Sequence, residues 1–184
     1  MLSSDLQHGD VLAYVHRKNA GLLVDTIHLI EGSDYTHSSV VLEIYNNEFI
    51  LEQHSLRMHS YLPLYYALPG EEIYCFRPRF TPPPATFEEF NRDSYGILGI
   101  IDSLLNHTIG LIIRKWQYRP LLVRLFNDPK IICSALVAKV LDLEHNTKWC
   151  KYYQVVEPDD FANHPEDFEP LGLVEWENNE NARR

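Results

Sequence analysis

The chain has 184 residues, 45% of them hydrophobic, which can fill a substantial core within one domain. Its Lys and Arg total 16 against 26 Asp and Glu, a formal net charge of −10, which argues against a phosphate-backbone binder and hence against a nucleic-acid partner. No apolar run approaches the roughly 18–20 residues of a membrane span, so no transmembrane segment is expected. MLSSDLQHGD has neither the basic nor the apolar region of a signal peptide. The expected location is therefore cytoplasmic, or wherever a phage, virion or secretion system delivers the chain. The cysteines are Cys75, Cys133 and Cys150. An odd number without a secretion signal favours reduced thiols over a disulfide framework, and the lack of a CxxC pair argues against structural zinc.

Taken in order, Leu6 to Val15 reads as a turn at Gly9-Asp10 feeding a buried strand. Ala20 to Ile30 has Leu22, Leu23, Thr26, Ile27 and Ile30 on one face, a short amphipathic helix closed by Gly32. Ser38 to Tyr45 is β-branched and aromatic, Asn46-Asn47 is a turn signal, and Glu48 to Gln53 is the return strand, which makes the clearest hairpin in the chain. His37 stands at the mouth of its first strand and Glu52 on its second. With Asn46-Asn47 at the turn centre, Glu52 falls opposite Val41; with Tyr45-Asn46 there, it falls opposite Ser39, diagonal to His37. Either register puts His37 and Glu52 on one face, because 37, 39 and 41 share parity. Met58 to Leu68 suggests another strand with a loop. Glu72 to Arg77 is a short strand holding Cys75 as a core thiol, and Thr81 to Pro84 is a breaker inside one domain. Thr86 to Trp116 reads as one or two helices. Its basic end, Arg114 and Lys115, with Arg119 and Arg124, is better read as a solvated face than as a membrane surface.

Asn127 to Leu143 organises the rest. Asn127, Asp128 and Pro129 suit a helix start, and Ile132, Leu136, Val137, Val140 and Leu141 recur at helical spacing. Cys133 and Ser134 lie at or near that start, where the helix dipole and unpaired N–H groups favour thiolate. A buried core cysteine is the competing reading. Asn146 to Lys151 is a loop with Cys150, Val155 to Asp160 a strand end and turn, and Val174 to Trp176 a last strand. Residues 177–184 are a polar, frayed tail.

A thiol nucleophile needs a base for its proton and a third group to orient that base. This chain offers a cysteine at a helix start, a histidine at a strand mouth and a glutamate on the adjoining strand. His54, which shares the face of Glu52, is the substitute for the third place.

The same pieces resemble the circularly permuted NlpC-type papain-like hydrolases of the YiiX and YebB group. HGDVLAYV resembles their early Gly-Asp strand, SDYTHSSVVLEI their Ser-His strand, FILEQ the strand of the third triad member, KIICSALVAKVL their Cys-Ser helix, and VEPDDF their late Pro-Asp segment. The order is His, then Glu, then Cys, where ordinary papain-like enzymes place the cysteine first. Two positions depart from the pattern: Ala135 stands where glutamate often follows Cys-Ser, and Thr36 replaces the serine before the histidine.

The resemblance implies one α+β domain over 1–184, a papain-like (permuted) antiparallel sheet packed against helices. It implies acyl transfer by Cys133, His37 and Glu52 through a thioester, needing no metal or organic cofactor. Peptide, amide or acyl-lipid substrates are the expected class. An inactive papain-like module with a binding role, or a virion-associated structural protein with a protein partner, is the alternative.

Overall fold

The computed structural model describes residues 1–15, 34–44, 47–54, 58–63, 72–84 and 133–175. For 47–54 and 58–63 it describes the backbone. The expected helices of Ala20 to Ile30 and Thr86 to Trp116, the stretch 118–126 and the tail lie outside these residues, as does the predicted helix start at 127–129.

Six strands form one sheet among the described residues: β1 (Val11–Val15), β2 (Tyr35–Ile44), β3 (Asn47–His54), β4 (Met58–Pro63), β5 (Ile73–Pro78) and β6 (Phe168–Leu173). Their order is β4-β3-β2-β1-β5-β6, and every neighbouring pair is antiparallel. With the helices below, this is an α+β arrangement. β2 begins at Tyr35, ahead of the expected Ser38, so His37 is its third residue. The β2–β3 hairpin pairs Ile44 with Asn47 and Val40 with Leu51. That is the register of a turn centred on 45–46, the second of the two alternatives.

Alternation along the strands sorts the sheet into two faces. Val11, Ala13, Val40, Leu42 and Phe76 belong to the larger core, together with α1 (Cys133–Val140) and the aromatic pair Phe161 and Phe168. Leu12, Val41, Ile73 and Cys75 form a smaller cluster on the other face with Leu6 and Val174. α1 is apolar apart from Ser134 and Lys139 and is buried along nearly all its length.

The Gly9-Asp10 turn is structural, as its sequence suggests. Gly9 takes φ +89° and lies so close to Pro82 that a Cβ would sit 2.2 Å from its Cγ, a position only glycine fills without strain. Asp10 is fully buried. Its carboxylate accepts two hydrogen bonds from the Arg77 guanidinium, at 2.8 Å each, and one from the Gln7 N–H at 2.8 Å. The turn is thereby fastened to β5.

Three expectations need correction. The helix predicted to run through Leu143 stops at Val140. Asp142 adopts φ 50°, a left-handed conformation that Asp tolerates, and a separate α2 (Leu143–Asn146) follows. Val155 to Asp160 holds no strand end: Tyr153–Val155 is a 3-10 turn, Val156 is extended, and α3 (Asp160–Asn163) begins after Pro158-Asp159. Among the described residues the last strand is β6, earlier than the expected Val174 to Trp176; Glu175 makes an isolated parallel bridge to Leu2, and Trp176 lies outside these residues. FEPLGL carries Pro170 and Gly172, which weaken a strand signal but are tolerated at a sheet edge and at the bulge between Cys75 and Phe76.

Candidate active site

Cys133 is the first residue of α1 and is 6% exposed. Its sulfur accepts backbone hydrogen bonds from the N–H groups of Ser38 and Ser134, and it is hydrogen-bonded to the side chain of His37. Burial pushes the thiol up more than any other single influence. The attraction and hydrogen bond of His37, joined by the two N–H donors, outweigh it and hold Cys133 below the ordinary thiol value.

The other two cysteines are raised, although the Tyr152 N–H donates to Cys150. Burial first, then the Asp10 charge, pushes Cys75 far above the ordinary range. Burial first, then Glu144 and Asp160, pushes Cys150 up to about 12. Both are core thiols by this criterion.

The local sequence explains how β2 presents its histidine. By alternation His37 falls in the row of Ser39 and Val41, whereas α1 covers the row of Val40 and Leu42. The β1–β2 ladder slips beside it: Tyr14 faces His37, but Val15 faces Tyr35, leaving Thr36 as the extra residue. A bulge re-aims a neighbouring side chain. Next to this one, His37 reaches the thiol at the start of α1.

Glu52 is placed by register. Its own rung is with Ser60 on β4. Carried one residue past the Val40–Leu51 rung, the β2–β3 register sets Glu52 across from Ser39, two residues from His37. Carried two further, it sets His54 level with His37. The backbone therefore brings both candidates for the third place to the same end of the hairpin.

Several residues beside the pair were not singled out by their sequence. Tyr14, directly across from His37, has its ring centroid 5.0 Å from the imidazole, tilted by 56°. Its hydroxyl is hydrogen-bonded to Ser39 at 3.0 Å. The Ser134 hydroxyl donates to the Val156 carbonyl, tying the start of α1 to the extended residue after the 3-10 turn. The Ser38 hydroxyl is buried with no hydrogen-bond partner among the described residues. A bulge can be seen only once two strands are paired, so no single-strand pattern flags Tyr14. Ala135, the departure from the Cys-Ser-Glu pattern, is 1% exposed and packs in the main core.

Among the described residues, no group of three or more His, Cys, Asp or Glu is arranged to hold a metal ion. No helix among them is long and apolar enough to cross a membrane. An open groove of about 430 Å³ lined by Asn146, Lys148, Trp149, Glu166 and Asp167 shares no residue with the Cys133–His37 pair.

No protein-family model matches the chain, and no curated protein matches it. Among solved structures it is similar to the metalloprotein YiiX from Escherichia coli O157:H7. The identity is 14% and the TM-score 0.41, over 93% of this chain and 98% of that one.

Proposed function

We propose that the chain is a thiol hydrolase, a single permuted papain-like domain in which Cys133 is the nucleophile, His37 the base and Glu52 the group that orients His37. The observation that carries this reading is the contact of the His37 side chain with the Cys133 sulfur, at a helix start where two backbone N–H groups also donate to that sulfur. In such an arrangement His37 takes the thiol proton, which favours the nucleophilic thiolate.

The chemistry is acyl transfer from an amide or ester, of the kind found in peptides and acyl lipids. The Cys133 thiolate attacks the carbonyl carbon, and the carbonyl π pair moves onto oxygen. As that oxyanion collapses, the bond to the leaving amine or alcohol breaks, and His37 gives its proton to the leaving group. The acyl group is then a thioester on Cys133. Neutral His37 takes a proton from water, hydroxide adds to the thioester carbonyl, and collapse releases the carboxylic acid and the thiolate. The Cys133 N–H is the backbone donor assigned to the oxyanion, by analogy with such sites.

Ala135 does not favour the inactive-module reading. It lies in the core, so its change from glutamate alters packing and takes no acid or base from the pair. Acyl trapping tests the proposal. Incubation with p-nitrophenyl acetate should leave an acetyl adduct on Cys133, seen by peptide mass spectrometry, that is absent in Cys133→Ala and strongly reduced in His37→Ala. Glu52→Gln and His54→Gln, assayed side by side, decide which one orients His37. An acyl adduct equally abundant on Cys75 or Cys150, or unchanged in His37→Ala, would sink the assignment.

A further inference from the structure

We infer that Tyr14, anchored by Ser39, is a positioning residue that fixes the imidazole of His37 against Cys133. The inference rests on the thiol-hydrolase reading above and extends it to β1. Three independent features converge on the tyrosine. It is the direct cross-strand partner of His37. Its ring lies against the imidazole, with centroids 5.0 Å apart and planes tilted by 56°, within the range in which aromatic rings attract. Its hydroxyl is tied to Ser39 at 3.0 Å, and Ser39 is fully buried.

The geometry calls for such a brace. The ladder slips between Tyr14 and Val15, so the backbone immediately before His37 is released from regular pairing where the ring must be aimed. An imidazole has a broad χ2, and a bulge alone does not fix it. Tyr14 limits the ring's rotation from the β1 side, and the Ser39 bond limits the rotation of Tyr14 itself. The same Ser39 stands across from Glu52 in the hairpin register. The strand that carries the base thus has the Tyr14 ring on one neighbouring strand and the backbone of Glu52 on the other. A side chain held by packed and hydrogen-bonded neighbours keeps productive geometry better than one held by its own rotamer preference.

The consequence is electrostatic. The Cys133 thiol is low because His37 donates to and attracts its sulfur. A looser imidazole weakens both effects, and the thiol rises toward the value that burial alone would set. Among the described residues the other titratable groups near the start of β2 are Tyr35, Tyr74, Asp159 and Asp34. They act on one another, and the substitutions below leave them in place.

The test is the pH profile of Cys133 alkylation by iodoacetamide, read by mass spectrometry in the full chain. Thermal melts and a Cys75 and Cys150 readout are taken alongside. Tyr14→Leu removes the ring, while Tyr14→Phe and Ser39→Ala remove only the tie between hydroxyls. The expected result for Tyr14→Leu is a midpoint raised by about one pH unit, which is about tenfold in labelling rate on the acid side. Tyr14→Phe and Ser39→Ala should give smaller shifts in the same direction, with Phe restoring most of what Leu loses. If the variants melt at lower temperature but keep the wild-type midpoint, Tyr14 is only a packing residue and the inference is overturned. Should Tyr14→Leu not fold, Tyr14→Phe and Ser39→Ala decide: an unmoved midpoint in both overturns it. A wild type in which Cys133 has no lead over Cys75 and Cys150 overturns the hydrolase reading and this inference together. A wild-type lead with unmoved variants overturns this inference alone.

Discussion

Cys75 and Cys133 lie in different surroundings of one sheet, and both are shut away from solvent. Their acidities move in opposite directions. Around Cys75 the apolar cluster of Leu12, Val41 and Ile73 removes water and supplies no donor in exchange. Asp10, paired with Arg77, also accepts a hydrogen bond from the Cys75 thiol, which favours its protonated form. Around Cys133, burial does the same, but an imidazole and two N–H groups converge on the sulfur. Burial alone therefore does not set which way a thiol's acidity moves. The donors aimed at the sulfur do.

That contrast can be broken from either side. The largest effect is expected at Arg77. Arg77→Ala leaves the buried Asp10 carboxylate without its cation, which should cost about 3–5 kcal/mol in chemical denaturation. A second substitution, Asp10→Asn, should return part of the loss. A cost below about 1 kcal/mol would show the pair to be exchangeable with water. Gly9→Ala acts on the same corner, forcing a Cβ into Pro82 and a left-handed φ on a non-glycine residue. About 1–3 kcal/mol should be lost, again by denaturant titration. If folded, neither variant should alter the alkylation profile of Cys133, because neither touches its donors.

On the helix side the expected effects differ in kind. Burial raises Asp160 to about 7, against the opposing hydrogen bond from the Glu157 N–H. The folded value lies above the unfolded one, so the stability this group contributes is fully present below about pH 4. It is lost as pH rises through about 7, with a slope of at most about 1.4 kcal/mol per pH unit. Melting Asp160→Asn across that window should show the slope removed, and an unchanged slope would refute the assignment. The smallest effect belongs to Ser38. Its hydroxyl is buried without a partner among the described residues, so Ser38→Ala should be neutral or stabilising by up to about 1 kcal/mol. A marked loss would mean that the hydroxyl is bonded in solution.

Much of this was legible in the chain because it was local. VLAYV, the SSVVLEI–EFILEQ hairpin and EIYCF each carry their pattern within a few residues, and each became a strand. The two hairpin registers could not be separated from sequence, because the Tyr45-Asn46-Asn47 run supports either turn centre; pairing chose the one that brings Glu52 nearer His37. Ser38 to Tyr45 as a strand missed its first residues, since Tyr35 pairs across a bulge at Thr36 that only the partner strand defines. The early stop of α1 depends on a left-handed Asp142, and β6 hides behind Pro170 and Gly172. Cys133 and His37 were readable as candidates. Tyr14 was not, because its importance lies in a cross-strand contact.

Alkylation of the three thiols at pH 6–7, in wild type and His37→Ala, tests the central claim most directly. In wild type Cys133 should label well ahead of Cys75 and Cys150. In His37→Ala that lead should fall by about tenfold or more, with the other two unchanged. Equal labelling of all three in wild type, or a Cys133 lead that survives His37→Ala, would contradict the account and return Cys133 to the core.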